Sequence, residues 1–446
     1  MRNLTALLLF DCCRLSFVPP LGKLTALKEL DLYHTAIKNV PEGMERLVNL
    51  KCLNMYSTGL RMIPDGTLNK LSLLQSLRIP KYVVVGIEEL KVLKQLEEFQ
   101  GGLENVGTLC HFFRHRQSHE GPIFYTIEVS PNLSLLWFLS PGPCQISTKK
   151  VTLSGIELGG NSVIVLPEDI QQLTIIKCHG LGTCLTTAFS LFNIQRRGLT
   201  DCVIDNCSEI ECIIKMSSSD DQLVRERNFS PWAPLESLKR LSLLSLPKFV
   251  RFFDWKLEAT PLPCSIFCHL KSITISSCHR MTTSFTPCLL QHLQNLELVE
   301  VMRCDQLEEI ITDEGGKVDL NPSISDQHSR ISFNFPRLKK LTLQHLPKLR
   351  SICEGNIICK SIEKIRIIGC QNLTRIPLFV SAINGLPNPL PAFRAIEILK
   401  EELQWWTLLE WEDPDLGNVI QPFVQFVAES SISYNQAQEQ LLLGND

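Results

Sequence analysis

The feature that most constrains this chain is a short leucine pattern that returns at a nearly constant interval. One copy, LKELDLYHTAIKNVP, runs from Leu27 to Pro41, and related segments begin at Leu4, Leu50 and Leu74. A helical face would place apolar residues near i+3, i+4 and i+7. Here the leucines include a two-residue step, which is typical of a strand, and the segment ends in turn chemistry. The pattern therefore predicts a strand and a turn that repeat about every 23 residues, a period typical of proteins built from stacked repeats.

The pattern continues over most of the chain, in about fourteen copies of L-x-x-L-x-L-x-x-[N/C/T/L]. One repeat cannot bury its own leucines, so neighbouring repeats must stack around a shared core. The spacing is typical of leucine-rich repeats. It predicts an α/β fold, a leucine-rich-repeat solenoid: a curved horseshoe with a parallel β-sheet on the concave face and an irregular or short helical convex side. The further copies begin at Leu96, Phe124, Thr148, Ile170, Leu199, Leu238, Leu270, Leu296, Leu338 and Ile362.

A small residue follows the strand in many repeats, at the point where the chain turns inward. A small side chain with a hydroxyl or a weak thiol donor fits such a buried turn. This pattern explains much of the use of 18 cysteines in 446 residues. Because C-x-x-C pairs are absent, we interpret the cysteines as structural thiols of a reducing compartment. The ladder positions are Cys12, Thr35, Thr58, Cys178, Cys207, Cys278, Cys304 and Cys370.

One further segment, CHFFRHRQSH, resembles a metal site in its spacing. Cys110, His111, His115 and His119 would align on a helix. The segment has no carboxylate or second thiol nearby, and a positively charged loop explains it more simply. We therefore predict no metal ligand in this chain.

The repeats are interrupted by two polar stretches, near residues 215–232 and 312–335. Both are rich in Ser, Asp and Asn, and they predict loops on the outer side. We predict a repeat domain over residues 1–385, a C-terminal capping segment over 386–425 and a disordered tail over 426–446.

The two ends of the repeat array differ in sequence. The capping segment has a Pro-rich bend, a short helix expected around Phe393 to Leu403, and then Trp405, Trp406 and Trp411. Exposed aromatic surface of this size would favour aggregation, so we expect the tryptophans to cover the last repeat. The first repeat starts without a polar cap. This predicts a fragment of a longer protein, or a first repeat that docks against another protein.

The sequence lacks the motifs that carry catalysis or cofactor binding. G-x-x-x-x-G-K-[ST], G-x-S-x-G and H-E-x-x-H do not occur. We therefore expect no enzyme, no catalytic residue and no cofactor-binding residue. A net charge of -3 gives no reason to expect nucleic-acid binding. The apolar runs are too short for a membrane span, and Asp11 interrupts the apolar start that a signal peptide needs, so we predict a cytoplasmic protein.

What remains is the outward surface of the strands, and we expect it to bind proteins. Side chains that alternate with the buried leucines face the concave side. Those of the early strands are acidic and aromatic, and those of the late strands are mainly basic. Opposite charge at the two ends favours electrostatic discrimination between partners. The candidate partner-binding residues are Glu29, Asp31, Tyr33, Tyr56, Arg78, Arg303, Lys340, Gln344, His345, Lys364 and Arg366.

Three features together resemble one known family. They are LTALKELDLYHTAIKNVPEGMERLVNLKCLNM; the two C-x-x-[IL]-E-x-I-I segments at 207–214 and 304–311, each followed by L-K-[RK]-L-x-L-x-x-L-P-K; and the closing EELQWWTLLEWEDPD. They are similar to the C-terminal region of plant intracellular nucleotide-binding leucine-rich-repeat disease resistance proteins of the coiled-coil type. The resemblance covers nearly the whole chain.

The resemblance implies a recognition and regulatory role in plant innate immunity. Its expected partners are a pathogen effector or a guarded host protein, and the nucleotide-binding domain of the same or another chain. ADP or ATP would bind only in an upstream domain, which is missing here, so the resemblance also implies a truncated gene product.

Two alternatives from other classes remain open. One is the ectodomain of a leucine-rich-repeat receptor that binds peptides; its plant members carry a G-x-I-P element, whereas these repeats end in I-x-x-V-P or L-x-x-I-P. The other is an adaptor of a ubiquitin ligase, whose marker would be an additional N-terminal helical motif.

Overall fold

A computed structural model of the chain describes residues 3–114, 124–131, 148–158, 164, 166–167, 169–192, 198–215, 233–254, 265–312, 332–353, 356–377, 381–383, 386–388, 392–411 and 414–428. Most of both predicted inserts, at 216–232 and 313–331, lies outside the described residues. So do His115, His119 and the part of the predicted tail beyond residue 428. Lys215 ends one strand and Ser332–Asn334 forms another, so the predicted insert bounds overlap regular structure.

The chain divides into two compact units. Unit 1 comprises Met1–Gly180 and Leu191–Leu199, and unit 2 comprises Leu181–Ser190 and Thr200–Asp446. The division into a repeat domain over 1–385, a capping segment over 386–425 and a tail stays a prediction.

Unit 1 is built on a parallel sheet to which successive repeats contribute successive strands. Its described helices are α1 (Ile87–Val92) and α2 (Val106–Arg114), with 3-10 turns at Met44–Arg46 and Leu68–Lys70. The strands are β1 (Ala6–Leu8), β2 (Glu29–Asp31), β3 (Cys52–Asn54), β4 (Ser76–Arg78), β5 (Val84–Val85), β6 (Glu98–Leu103), β7 (Phe124–Val129), β8 (Lys149–Ser154) and β9 (Gln172–Ile176). They pair in the order β1-β2-β3-β4-β6-β7-β8-β9, and β5 pairs with the second half of β6.

The register of this sheet stacks equivalent leucines directly over one another. Leu7 pairs with Leu30, Leu30 with Leu53, and Leu53 with Leu77. The last three are buried, and full burial of a leucine is worth about 1.5–3 kcal/mol. Because side chains alternate across a strand, the residues on either side of each leucine point away from this core. We call the surface that they form the outward face.

Two glycines in β6 allow the segment before β5 to pass close to the sheet. A Cβ on Gly102 would lie 2.6 Å from the carbonyl oxygen of Lys81 and 2.9 Å from that of Val83. The N–H of Gly102 donates to the Val83 carbonyl at 3.0 Å. A Cβ on Gly101 would meet the side chain of Ile79 at 2.7 Å. The residues FQGG thus mark a close backbone approach, which glycine alone permits.

Unit 2 repeats the plan with longer main strands. In chain order, its described helices and strands are α3 (Leu185–Leu191), β10 (Asp201–Asp205), β11 (Cys212–Lys215), α4 (Ala233–Ser237), β12 (Arg240–Leu244), β13 (Arg251–Asp254), β14 (Ser272–Ser276), β15 (Thr283–Phe285), α5 (Pro287–Leu290), β16 (Leu298–Met302), β17 (Glu309–Ile311), β18 (Ser332–Asn334), β19 (Lys340–Gln344), β20 (Asn356–Ile358), β21 (Lys364–Ile368), β22 (Ser381–Ile383), β23 (Leu386–Asn388), β24 (Ala395–Leu399), α6 (Leu403–Thr407), α7 (Pro414–Ile420) and β25 (Val424–Val427). The main sheet is parallel, in the order β10-β12-β14-β16-β19-β21-β24-β25. Among the described residues of unit 2, 3-10 turns occur at Lys400–Glu402 and Gln421–Phe423.

Several repeats of unit 2 contain a second strand that sequence reasoning missed. β11 pairs with β13, β15 with β17, and β18 with β20, all in parallel. β22 and β23 form an antiparallel pair. β11 and β17 coincide with the ends of the two C-x-x-[IL]-E-x-I-I segments, whose paired isoleucines favour extended backbone. The repeated block therefore encodes a second strand as well as a turn.

The helix predicted around Phe393 to Leu403 is wrong. This stretch forms β24 and the 3-10 turn Lys400–Glu402, and helix begins only at Leu403. The sequence AIEIL alternates buried isoleucines with an outward glutamate, and Ile396 pairs with Ile365 of β21. Both isoleucines are buried, so pairing in the sheet overrides the helix propensity of the neighbouring residues.

The tryptophans after β24 pack on the repeat that precedes it and on each other. Trp405 Nε1 donates to the carbonyl of Leu373 at 2.7 Å. Trp406 is buried and its Nε1 donates to Gln421 Oε1 at 3.1 Å. The ring centroids of Trp406 and Trp411 are 5.3 Å apart, in an edge-to-face arrangement.

The ladder positions share one backbone geometry. At all eight predicted positions the preceding residue has positive φ, between 51° and 66°. Buried ladder side chains turn inward and donate to a carbonyl: Thr35 Oγ1 to Leu32 at 2.9 Å, and Cys178 Sγ to Leu153 at 3.5 Å. Seven of the eight are buried, from Thr35 to Cys370.

Cys12 is the exception, since it is exposed. Its predicted role as a buried turn residue is wrong. Within the described chain β1 pairs with β2 alone, so one neighbouring repeat rather than two packs against this turn. The remaining seven positions and the parallel strands confirm the leucine-rich-repeat fold in each unit.

Candidate protein-recognition surface

The candidate residues of unit 1 come from three neighbouring strands and share the outward face. Strand pairing places Asp31, Asn54 and Arg78 in one row. Glu29 begins β2, and Tyr33 and Tyr56 lie two residues beyond the ends of β2 and β3. We call this group the unit 1 patch; its members are Glu29, Asp31, Tyr33, Tyr56 and Arg78.

Asp31 organises the acidic and aromatic part of this patch. Its Oδ1 accepts from the backbone N–H of Tyr33 at 2.8 Å, and its Oδ2 accepts from Asn54 Nδ2 at 3.2 Å. The rings of Tyr33 and Tyr56 stack, with centroids 6.4 Å apart and planes 6° apart. Tyr56 is 8% exposed, so it mainly supports Tyr33. Glu29 is exposed, and among the described residues neither Glu29 nor Asp31 forms an ion pair.

Arg78 differs from the other members because the fold already supplies its counter-ion. Its Nη2 lies 3.0 Å from Glu98 Oε2, and Ser76 Oγ donates to the same oxygen at 2.8 Å. Glu98 begins β6, the next strand of the sheet. The patch therefore presents two carboxylates and a supported tyrosine, with its one arginine engaged in an ion pair.

The candidate residues of unit 2 also lie together, on and just beyond β16, β19 and β21. Lys340 pairs in register with Lys364, and Thr342 with Arg366. Arg303 and His345 follow β16 and β19 at left-handed turn positions, with φ of 53° and 52°. This set comprises Arg303, Lys340, Gln344, His345, Lys364 and Arg366, and the two sets belong to different units.

Glu397 of β24 neutralises much of this basic group. Its Oε1 lies 2.6 Å from Lys364 Nζ and its Oε2 lies 2.6 Å from Arg366 Nε. Burial pushes the pKa of Glu397 upwards, but the hydrogen bonds from Lys364 and Arg366 outweigh it, and the pKa is lowered. Lys340 Nζ is 3.8 Å from Glu300 Oε1 in the same way.

Accessibility separates the members of the unit 2 set. Arg303 is exposed, and Lys340, His345 and Lys364 are half-buried. Gln344 and Arg366 are 2% and 3% exposed, so they lie inside the fold. Partner binding by any of the candidate residues stays a prediction.

Unit 1 contains one more polar feature of the outward face that the sequence did not reveal. Glu128 of β7 is 7% exposed. Its Oε1 has no hydrogen-bond partner within the described chain. Burial raises the pKa of Glu128, and the charges of Lys81 and Lys150 oppose that rise. Lys81 comes from the segment that crosses β6 at Gly102, which explains why strand spacing alone could not place it near Glu128.

The acidic partners Glu98, Glu300 and Glu397 did carry a signal in the sequence. Each occupies an outward position of its strand, next to a strand that carries a basic residue. Glu397 is in register with Arg366, whereas Glu98 and Glu300 are one outward position out of register with Arg78 and Lys340. Recognising these pairs needs the register of repeats that are 20 to 40 residues apart, roughly one or two repeat lengths.

Within the described ranges, no helix is long and apolar enough to cross a bilayer.

Parallel strands with stacked buried leucines, many of them followed by a left-handed turn and an inward small residue, define a leucine-rich-repeat protein. The segment 254–387 matches the model for the leucine-rich repeats of RPS2-like plant disease resistance proteins. By that match and by its relatives, the chain is similar to the leucine-rich-repeat regions of plant disease resistance proteins.

Two relatives from Arabidopsis thaliana illustrate this similarity. One disease resistance protein is 24% identical over 466 aligned residues, which cover 99% of this chain and 42% of that protein. A second is 26% identical over 153 residues, or 34% of this chain and 14% of that protein. The chain thus spans less than half the length of these relatives.

Solved structures with a similar fold come from several sources. An internalin from Listeria monocytogenes is 15% identical, with a TM-score of 0.35, covering 71% of this chain and 88% of that one. The plant peptide hormone receptor RGFR1, in complex with RGF2, is 13% identical, with a TM-score of 0.34, covering 89% of this chain and 72% of that one.

Proposed function

We propose that this chain is a non-catalytic protein-recognition module of plant immunity. The observation that carries the proposal is the unit 1 patch, in a chain similar to the leucine-rich repeats of disease resistance proteins. Two carboxylates, which form no ion pair with the residues that the structure describes, lie beside a stacked tyrosine on a sheet. Aromatic side chains that are fixed before binding supply contact area at low entropic cost, and unpaired charges select the partner.

The finer proposal concerns the partners. The module recognises a pathogen effector or a guarded host protein, and it holds the nucleotide-binding domain of the same or another chain inactive, in the cytoplasm. In this proposal ADP or ATP binds to that domain and not to the repeats. The outward face offers such a partner hydrogen-bonding and aromatic groups on neighbouring strands, which suits a protein surface better than a small substrate.

The test uses a purified nucleotide-binding domain of a plant disease resistance protein as the probe. Its affinity for this chain is measured by biolayer interferometry, for the wild type and for a variant with Glu29→Lys and Asp31→Lys. We expect reversal of these charges to weaken binding by about tenfold or more, since a charge mismatch at an interface costs more than a kilocalorie.

A matched control reverses two glutamates outside the patch, Glu42→Lys and Glu45→Lys. Both are exposed residues of unit 1, so the change in net charge is the same. Equal losses in the two double variants would mean that net charge, and not the patch, drives binding. Absence of binding by the wild type would refute the proposed contact with the nucleotide-binding domain.

A further inference from the structure

Two buried thiols of unit 2 face each other across a short backbone contact. Cys184 and Cys212 form an isolated parallel β-bridge, and the N–H groups of Glu211 and Cys212 donate to the Thr183 carbonyl at 2.8 and 3.3 Å. Neighbouring strands lie about 4.8 Å apart, and a disulfide needs a Cα separation of about 4.4–6.8 Å. Cys212 Sγ lies 4.0 Å from the carbonyl oxygen of Thr183, the residue before Cys184. The backbone therefore meets the distance that a disulfide requires.

The two thiols differ in their surroundings. Cys184 Sγ lies 2.8 Å from Thr187 Oγ1 and 3.3 Å from Thr186 Oγ1. The hydrogen bond with Cys212, with these hydroxyls in support, lowers the pKa of Cys184 to about 5 against the opposing effect of burial. The same hydrogen bond, followed by burial, raises the pKa of Cys212. The two hydroxyls beside Cys184 favour its thiolate, so Cys184 is the better attacking sulfur of the two.

The charged groups that act on this pair come from the neighbouring strands. The charge of Asp254 raises the pKa of Cys212, and the charge of Lys215 lowers it. These two residues form an ion pair, with 3.8 Å between Lys215 Nζ and Asp254 Oδ2. The ladder thiols have no such arrangement. Cys278, for example, donates to the carbonyl of Leu243 at 3.8 Å, and burial raises its pKa to about 12. Cys184 and Cys212 thus stand apart from the structural cysteines.

We propose that Cys184 and Cys212 are a redox pair, which closes to an intrachain disulfide on reaction with a low-molecular-weight disulfide of the glutathione class. Cys184 is the attacking thiol and Cys212 the resolving thiol. Both are buried, so the oxidant enters when the short contact at Thr183 opens locally, as segments held by few hydrogen bonds do.

The reaction proceeds in two balanced exchange steps. The Cys184 thiolate attacks one sulfur of the small disulfide; that S–S bond breaks, and one small thiolate leaves and takes up a proton. Cys212 then loses its proton and attacks the Cys184 sulfur of the mixed disulfide, which releases the second small thiol. The protein loses two electrons and the proton of Cys212, the second proton comes from water, and the small disulfide becomes two thiols. The product ties the segment before α3 to β11.

The experiment treats the full chain with glutathione disulfide, in a background with Cys12→Ser and Cys13→Ser because those two thiols are exposed. Free thiols are then alkylated and the protein is digested without reduction. We expect mass spectrometry to find the peptides of Cys184 and Cys212 joined, and dithiothreitol to separate them. The rate should change little between about pH 6 and pH 8, unlike that of an ordinary thiol with a pKa near 8.5.

Single variants assign the two roles. With Cys212→Ser, the mixed disulfide with glutathione should accumulate on Cys184. With Cys184→Ser, Cys212 should remain a free thiol. Cys278→Ser, a matched control among the buried ladder thiols, should leave the joined peptides unchanged. Thr187→Val alters an exposed side chain, and it should slow the first step several-fold by removing a donor to the thiolate.

Recovery of both cysteines as alkylated thiols after treatment would overturn the proposal. So would a rate that Thr187→Val leaves unchanged. These outcomes are independent of the binding measurements on the unit 1 patch, so the redox pair and the recognition role can fail separately.

Discussion

At the scale of residues, the outward charges of unit 2 are set by partners that are distant in sequence. Arg366 and Glu397 are 31 residues apart, and they meet because β21 and β24 pair in register. Alternation along a strand predicts that both face outward. It cannot predict that they neutralise each other, because the length of chain between the two strands departs from the regular repeat. The strand positions of the candidate residues were thus predictable, and the burial of Gln344 and Arg366 was not.

Removal of the Glu397 carboxylate should destabilise unit 2 strongly. Glu397→Ala leaves the guanidinium of Arg366, which is 3% exposed, without the carboxylate that it contacts. Breaking a buried pair from one side costs about 3–5 kcal/mol. Urea unfolding should show a loss of this size in the free energy of unfolding.

The matched control for this variant is Glu88→Ala. Glu88 lies 2.6 Å from Lys91, but its side chain is 75% exposed. Surface pairs of this kind contribute about 0–1 kcal/mol. Similar losses from Glu88→Ala and Glu397→Ala would contradict the role assigned to burial.

Glu128 should give unit 1 a stability that falls as pH rises. Burial raises the pKa of Glu128 above its ordinary value of 4.5. The folded protein therefore holds this proton at pH values where the unfolded chain has lost it. Its contribution is greatest below the unfolded pKa and is lost as the pH rises through the folded pKa. Glu128→Gln should remove this dependence, so the variant should gain stability relative to the wild type as the pH rises above the ordinary glutamate pKa.

The measurement is the difference in free energy of unfolding between variant and wild type at several pH values. Glu104→Gln serves as the control, because Glu104 is exposed in the same unit. If the difference in free energy of unfolding for Glu128→Gln varies with pH as little as that for Glu104→Gln, the burial argument is contradicted.

At the scale of elements, the L-x-L strands and the turn after each strand were the most predictable parts of the fold. Each strand needs its neighbours, and the leucine spacing states where the neighbours lie. The region from Phe393 to Leu403 shows the limit of such reasoning. Its periodicity fits a helix or a strand over so short a length, and the pairing partner Ile365 decides the outcome. The second strands β11 and β17 were missed for the same reason.

The crossing at β6 gives a prediction for a single element. Gly102→Ala places a methyl group 2.6 Å from the Lys81 carbonyl oxygen, which is backbone and cannot rotate away. Overpacking of this kind costs about 1–3 kcal/mol. Thermal unfolding should show a lower Tm for this variant.

Gly86→Ala is the matched control for Gly102→Ala. Gly86 is the residue before α1, its φ is -71°, and a Cβ there meets no other atom within 4 Å. Alanine is a poorer N-cap than glycine, so this change should cost roughly 0.5–1 kcal/mol without a steric contribution. Equal effects of the two substitutions would argue against a close approach at Gly102.

At the scale of the whole molecule, the repeats imply that the stability of each repeat depends on its neighbours. In unit 2 each main strand contacts the strands before and after it, from β10 to β25. The energy of such an array is close to a sum of repeat terms and nearest-neighbour terms. A destabilising substitution should therefore increase local opening most in the strands next to it, and progressively less in strands farther along the sheet.

Ile398→Ala tests this expectation. Ile398 is fully buried in β24, and truncation of a buried isoleucine costs about 2–5 kcal/mol. Amide hydrogen exchange should accelerate most in β21, β24 and β25, less in β16, and least in β10. Leu243→Ala in β12 is the reciprocal control, because Leu243 is equally buried and should shift the fastest exchange to β10, β12 and β14. The same uniform acceleration in both variants would mean that unit 2 opens as one cooperative block, and the nearest-neighbour description would then fail for this molecule.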